Sequence, residues 1–235
     1  MAQHFKIITP VYNGAPWVTQ CIESVKTQKY TNFEQIIIDD CSTDCTYEVA
    51  KAAIGGDSRF KLITNSKRKG VPLNQKKGVE EARADAEDII VHLDGDDWFI
   101  DENTLTKLVK VYKETECWLT YGSYQTTTGE KSIARHYTGS PRAAVLGGWP
   151  FSHLRTFKRH LWDILEESHF KDREGNYYTA AADVVIFVPI LEKIGYDKVR
   201  FIEEPLMVYN LSQLNNEHKQ NLSEQVRTAL DVIHK

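Results

Sequence analysis

Residues 89–97 read Ile89-Ile90-Val91-His92-Leu93-Asp94-Gly95-Asp96-Asp97, an almost wholly apolar run that breaks into an acidic turn. A short run without polar alternation suits a strand buried on both faces, the condition of strands in a parallel sheet. Earlier in the chain, Ile36-Ile37-Ile38 runs in the same way into Asp39-Asp40. In open parallel sheets, ligands settle outside the carboxyl ends of the strands. Both acidic clusters fall at such ends, and that placement carries more information than the number of acids.

Working outward, strand and helix signals alternate. Phe5 to Thr9 reads as a first strand, punctuated by Pro10 and Asn13-Gly14. A helix begins near Pro16, with Val18, Ile22 and Val25 on one face. Ser42 and Thr43 can cap a second helix that ends before Gly55-Gly56. A strand over Phe60 to Thr64 and a helix over Pro72 to Ala86 follow. After the acidic turn come a helix over Asn103 to Lys113 and a strand over Cys117 to Tyr121. This order predicts an α/β fold with a mostly parallel central sheet flanked by helices.

Beyond residue 125 the pattern weakens. Thr126 to Ser140 reads as a polar loop, Leu154 to Phe157 as a strand, Asp183 to Ile194 as a helix despite Pro189, and Arg200 to Tyr209 as extended. Leu222, Val226, Ala229, Leu230 and Ile233 give a closing amphipathic helix. Without a linker or repeat, residues 1–235 read as one domain in two halves that meet near residue 125.

Composition excludes several classes. Lys+Arg is 29 and Asp+Glu is 33, a net charge of -4, which argues against a nucleic-acid partner. No apolar run reaches the roughly 18 residues of a membrane helix. No transmembrane segment is expected, and peripheral membrane association stays open. The first residues show no secretory leader, so a cytoplasmic location is expected. The four cysteines do not form a disulfide scaffold or a zinc pattern.

Several residue groups suggest chemistry. The carboxylates of Asp94, Asp96 and Asp97 repel one another, and a hard divalent ion such as Mn²⁺ or Mg²⁺ offsets that cost. A solvated acidic turn is the other reading. Asp39 can accept from a base N–H or a ribose hydroxyl, or cap the next helix. The basic loop Ser66-Lys67-Arg68-Lys69-Gly70 can hold a diphosphate or a nucleobase, or simply be solvated. Gly70 leads tightly into a helix whose first turn carries Asn74. Asp183 follows small residues at a helix start, where the positive end favours an ionised base; a plain N-cap is the alternative. His153, Arg155 and His218 read as surface or core-edge residues. Trp149 and Phe151 read as packing or as an acceptor wall.

In this order the pieces resemble the family-2 glycosyltransferases with the GT-A fold. The resemblance runs through Ile8-Thr9-Pro10-Val11-Tyr12-Asn13, Ile38-Asp39-Asp40-Cys41-Ser42-Thr43-Asp44, Asn65 to Gly78, and Leu93-Asp94-Gly95-Asp96-Asp97, similar to a DxD-type metal site. It covers roughly residues 5 to 125 clearly. A weaker stretch passes through His153-Leu154-Arg155 and Ala182-Asp183 to about Tyr209.

The resemblance implies an inverting transfer of one sugar from a nucleoside-diphosphate sugar to an acceptor hydroxyl on a glycan or glycoconjugate, with Mn²⁺ or Mg²⁺. Residues 1–125 would bind the donor and residues 126–235 the acceptor. A UDP-sugar is favoured. Thr9, Pro10, Tyr12 and Asp39 would border the nucleobase and ribose, with Asp39 accepting a uracil-like N3–H and Arg68 or Lys69 nearby. Gly70 and Asn74 belong to the donor segment. Asp94 would reach ribose or metal-bound water, Asp96 would bind the metal, and Asp97 would support the site or touch the sugar. Gly95, the turn residue between them, would belong to the donor-binding set. His218 is a further metal ligand to consider. Asp183 aligns with the catalytic base, although the usual acid pair is here Ala182-Asp183. The loop from Thr126 to Ser140 would close over the donor, with Lys131, Arg135 or His136 near the diphosphate. A Gln-x-x-Arg-Trp motif, which marks processive members, does not occur.

Three other readings compete. A nucleotidyltransferase would open with a Gly-rich phosphate loop, and Thr9 to Ala15 holds only Gly14. A dinucleotide dehydrogenase would show Gly-x-Gly-x-x-Gly after the first strand. A degenerate fold kept as a binding module would have little reason to retain Asp39, Asp94, Asp96 and Asp183 together.

Overall fold

The computed structural model describes residues 2–131, 134–212 and 222–235. Strand β1 (Phe5–Val11) is buried along its whole length and pairs in parallel with β2 (Phe33–Asp39) on one side and β4 (Ile89–His92) on the other. Strand β3 (Phe60–Thr64) extends the parallel set beyond β2. Alternation of side chains along these strands separates two cores. Phe5, Ile7 and Ile37 face one, and Ile8, Ile36 and Ile38 face the other.

Helices cover both faces. On the first, α1 (Val18–Lys26) buries Val18, Cys21, Ile22 and Val25, a spacing that makes one apolar stripe. Helix α2 (Thr46–Ile54) stops at Gly55, whose φ of 61° breaks the helix at little cost. Asp44, rather than Ser42 or Thr43, accepts from the amide of Thr46 at its start, at 3.0 Å. Helix α4 (Thr104–Thr115) buries Leu105, Leu108, Val109 and Tyr112 on the same side. On the opposite face, α3 (Val71–Glu81) lies tight on β1, because a Cβ on Gly78 would collide with Cγ2 of Ile8.

Helix α3 ends at Glu81, short of the expected Ala86, because Arg83 turns the chain with φ 45°. The second half of the sheet departs further from a simple parallel order. Strands β5 (Trp98–Phe99), β6 (Leu119–Thr126), β7 (Arg155–Lys158) and β8 (Val199–Tyr209) complete it. Among the described residues the order is β3-β2-β1-β4-β7-β6-β8-β5. β7 is antiparallel to both β4 and β6, β6 is parallel to β8, and β5 is antiparallel to β8. The sheet is therefore mixed, with the parallel set holding its first half. Helix α5 (Pro141–Leu146) follows the 126–140 segment. Helix α6 (Ala182–Ile194) is apolar nearly all round and sits in the second core. Helix α7 (Leu222–His234) closes the described chain.

Candidate active site

The carboxyl ends of β1, β2 and β4 open onto one cleft. Its floor carries Pro10 and Val11 from the end of β1, Tyr12 just after it, and Asp94 and Asp96 from the turn after β4. Gly95 lets this turn rest on β1, since a Cβ there would lie 2.6 Å from Cβ of Val11. One wall is the loop 68–74. Arg68 lies over the ring of Tyr12, its Cζ 3.9 Å from the centroid, within the range of a cation–π contact. Asn74, buried on the first turn of α3, accepts from Nδ2 of Asn65 at 2.7 Å.

Asp40 organises that wall. Its carboxylate accepts from the backbone amides of Lys69 and Gly70, each at 2.9 Å, and from Nδ2 of Asn65 at 2.8 Å. Asp40 lines the cleft, and Asp39 does not. Asp39 is 3% exposed, and its two oxygens accept from the amide of Ser42 and the hydroxyl of Thr64. Thr9 is also turned away, with Oγ1 accepting from Nε2 of Gln35 at 2.9 Å. Lys69, Gly95 and Asp97 are likewise absent from the lining, while Pro10, Tyr12, Arg68, Gly70, Asn74, Asp94, Asp96 and Asp183 are part of it. His218 lies outside the described residues.

Asp183 enters from the opposite wall. Ala181 takes φ 55° before α6, which places Asp183 in the first turn of that helix. Its carboxylate faces Arg155, with Nη1 3.5 Å from Oδ2. Arg155 stands at the start of β7 directly across from His92, so the antiparallel β4–β7 pairing brings it beside the acidic turn. Its Nη2 donates to Nε2 of His153 at 2.7 Å. His153, Arg155, Tyr209 and Gln225 all line the cleft. His153 and Arg155 stand in the weaker part of the family resemblance. Tyr209 and Gln225 carried no signal in the sequence.

The electrostatics are those of acids crowded in a poor solvent. Burial pushes the carboxyl of Asp94 up, opposed by Arg155. Burial and then the charge of Asp94 raise Asp96 to about 7. Asp97 is pushed well above the usual range by burial and by both neighbouring acids, although an amide from Asn210 reaches its Oδ1 at 2.8 Å. Its Oδ2 is buried with no partner among the described residues. Behind Arg155, burial and the nearby guanidinium lower His92 to about 3, so this ring is neutral.

These acids suit a divalent ion. Asp94, Asp97 and His153 each offer a ligand atom, all within 4.8 Å of one another. An unpartnered, fully buried carboxylate oxygen in that group is the kind of atom a hard cation would satisfy. The group differs from the expected pair in including Asp97 and His153, while Asp96 lines the cleft beside it. From the 126–140 segment, Lys131, Arg135 and His136 are exposed and do not line the cleft. The segment is tied to β6 by Tyr121, whose hydroxyl donates to the carbonyl of Arg135 and accepts from the amide of Tyr137, both at 3.1 Å. Phe151 is packing, its ring centroid 4.7 Å from that of Tyr121.

Known proteins share this architecture. The chain is 24% identical over 225 residues to the glycosyltransferase GlyG of Streptococcus pneumoniae, covering 89% of this chain and 71% of the relative. It is 30% identical over 130 residues to WfgD of Escherichia coli, a UDP-Glc:alpha-D-GlcNAc-diphosphoundecaprenol beta-1,3-glucosyltransferase. That match covers 55% of this chain and 49% of the relative. Glucosyl-3-phosphoglycerate synthase from Mycobacterium tuberculosis, solved with Mn²⁺, UDP-Glc and phosphoglyceric acid, superposes with a TM-score of 0.67 at 17% identity. The superposition spans 99% of this chain and 80% of that one, so the fold is shared. The model of glycosyl transferase family 2 matches residues 6–171. The chain therefore belongs to glycosyl transferase family 2.

Proposed function

We propose that the chain transfers one sugar, with inversion, from a nucleoside-diphosphate sugar to a hydroxyl of a glycan or glycoconjugate acceptor. The observation that carries this is the meeting of Asp94, Asp96 and Asp183 on a single cleft, reached from a strand end and from a helix start. Tyr12, Arg68 and the loop ordered by Asp40 form the wall suited to a nucleoside. Uridine is favoured, in keeping with the UDP-Glc named for WfgD. Asp94 and Asp97, with His153, would hold Mn²⁺ or Mg²⁺, and Asp96 stands beside them. A bound ion would supply charge neutralisation for the departing diphosphate.

Asp183 is the base in this reading. It takes the proton of the acceptor hydroxyl as that oxygen attacks the anomeric carbon from the face opposite the diphosphate. Arg155 holds the carboxylate from the side of the acidic turn. Among the described residues no helix is long and apolar enough to cross a membrane.

Calorimetry with UDP, TDP and GDP, each with and without Mn²⁺, tests the donor assignment on the wild type and Asp96→Ala. Metal-dependent UDP binding that the substitution abolishes is expected. Binding of no nucleotide by folded protein would overturn the reading.

A further inference from the structure

Arg155 and His153 are joined in a way that bears on ion binding. A guanidinium has donors only. Its 2.7 Å bond to His153 therefore requires Nε2 to accept, and the ring proton of the neutral imidazole must then sit on Nδ1. A metal ion needs an in-plane lone pair on one of these nitrogens. The pair on Nε2 is spent on Arg155, and Nδ1 has none while it carries the proton. Ligation through Nε2 breaks the bond to Arg155. Ligation through Nδ1 moves the proton to Nε2, which then faces a donor.

We propose that Arg155 is the resident cation of this cluster, holding His153 until a divalent ion takes that histidine over. The proposal rests on the metal-dependent reading above. Arg155 is well placed for the exchange. Its side chain is 11% exposed, and its Nε is buried without a partner among the described residues. Its Nη1 already faces two further acceptors, the carbonyl of Phe151 at 3.4 Å and Oδ2 of Asp183 at 3.5 Å. When His153 turns to the ion, the guanidinium can close on Asp183. Arrival of the ion is thereby coupled to the position of the base, and Arg155 is a positioning residue.

Two measurements test this. In metal-free protein with ¹⁵N-labelled imidazoles, the His153 signal, assigned by its loss in His153→Gln, is expected in the Nδ1–H tautomer. An Nε2–H tautomer overturns the proposal. Mn²⁺ titration followed by electron paramagnetic resonance then compares wild type, Arg155→Met, His153→Gln and the double variant. Arg155→Met is expected to bind Mn²⁺ about tenfold more tightly, the scale of one charge-assisted hydrogen bond. That gain should shrink to about threefold or less in the His153→Gln background, where only the removed charge remains. Equal or weaker binding by Arg155→Met, or the same gain in both backgrounds, overturns the proposal. Binding of no Mn²⁺ by any folded variant overturns the metal-dependent reading beneath it. Arg155→Lys keeps the charge with a different reach, and an intermediate gain from it serves if the methionine variant does not fold.

Discussion

A Cβ on Gly70 would stand 2.7 Å from Cα of Thr179, so the loop at the donor wall and the segment leading to Asp183 touch backbone to backbone. Gly70 also takes φ 84° and ψ 164°, a region essentially closed to other residues. Gly70→Ala is expected to lower stability by about 1–3 kcal/mol and to separate the two walls. Thermal denaturation and nucleotide affinity check this. A variant as stable as the wild type, with unchanged UDP binding, would show that the contact is dispensable.

Asp183→Asn keeps the shape of the side chain and removes its capacity to accept a proton. Transfer should fall by roughly 10²–10⁴, the range for loss of a general base. Donor affinity should change little, because the nucleoside wall lies across the cleft. Single-turnover rates with a matched acceptor, set beside calorimetric UDP binding, separate the two effects. A rate within a few-fold of wild type would assign the base elsewhere.

Asp97→Asn separates folding from ion binding. An Asn oxygen can still accept from the amide of Asn210, and the buried Oδ2 has no partner to lose among the described residues. Metal-free stability near neutral pH should therefore stay within about 1 kcal/mol. Mn²⁺ affinity should drop by at least about tenfold, since a carboxylate that the ion would hold ionised is replaced by a neutral amide. Strong destabilisation with unaltered Mn²⁺ binding would make Asp97 a structural residue only.

Mn²⁺ binding should depend on pH through Asp96, which burial and the charge of Asp94 raise to about 7. Below that value the acid is protonated, and protons compete with the ion. Affinity is expected to climb as pH rises through about 7, and to go on climbing while Asp97, which burial and its acidic neighbours hold well above the usual range, also gives up its proton. Asp96→Asn should flatten the climb. A wild-type profile that is flat between about pH 6 and about pH 8 would contradict the assignment.

Much of the fold was legible because it is local. Ile36-Ile37-Ile38 and Ile89-Ile90-Val91 are buried on both faces, and that condition writes itself into composition. Gly55 marks the end of α2 by its conformation alone. The two residues of β5 are too few to show a period. The insertion of β7 between β4 and β6 depends on pairing across distant parts of the chain, which leaves no local trace.

The site divides in the same manner. Asp94, Asp96 and Asp183 could be singled out from the sequence, because an acid after an apolar run or at a helix start has a predictable place. Which neighbour of an acidic pair faces the cleft was decided by register: Asp39 turns to Ser42 and Thr64, and Asp40 to the loop at Lys69 and Gly70. His153 and Arg155 read as unremarkable surface or core-edge residues. The antiparallel pairing of β7 with β4 sets Arg155 opposite His92 and beside Asp94, and so draws both into the site. By itself the sequence determined the α/β order, the parallel first half of the sheet and the acids at its strand ends, since burial and chain direction are local properties. Only the tertiary structure decided which cation meets those acids and which histidine joins them, since pairing between distant strands is set by the packing of the whole sheet.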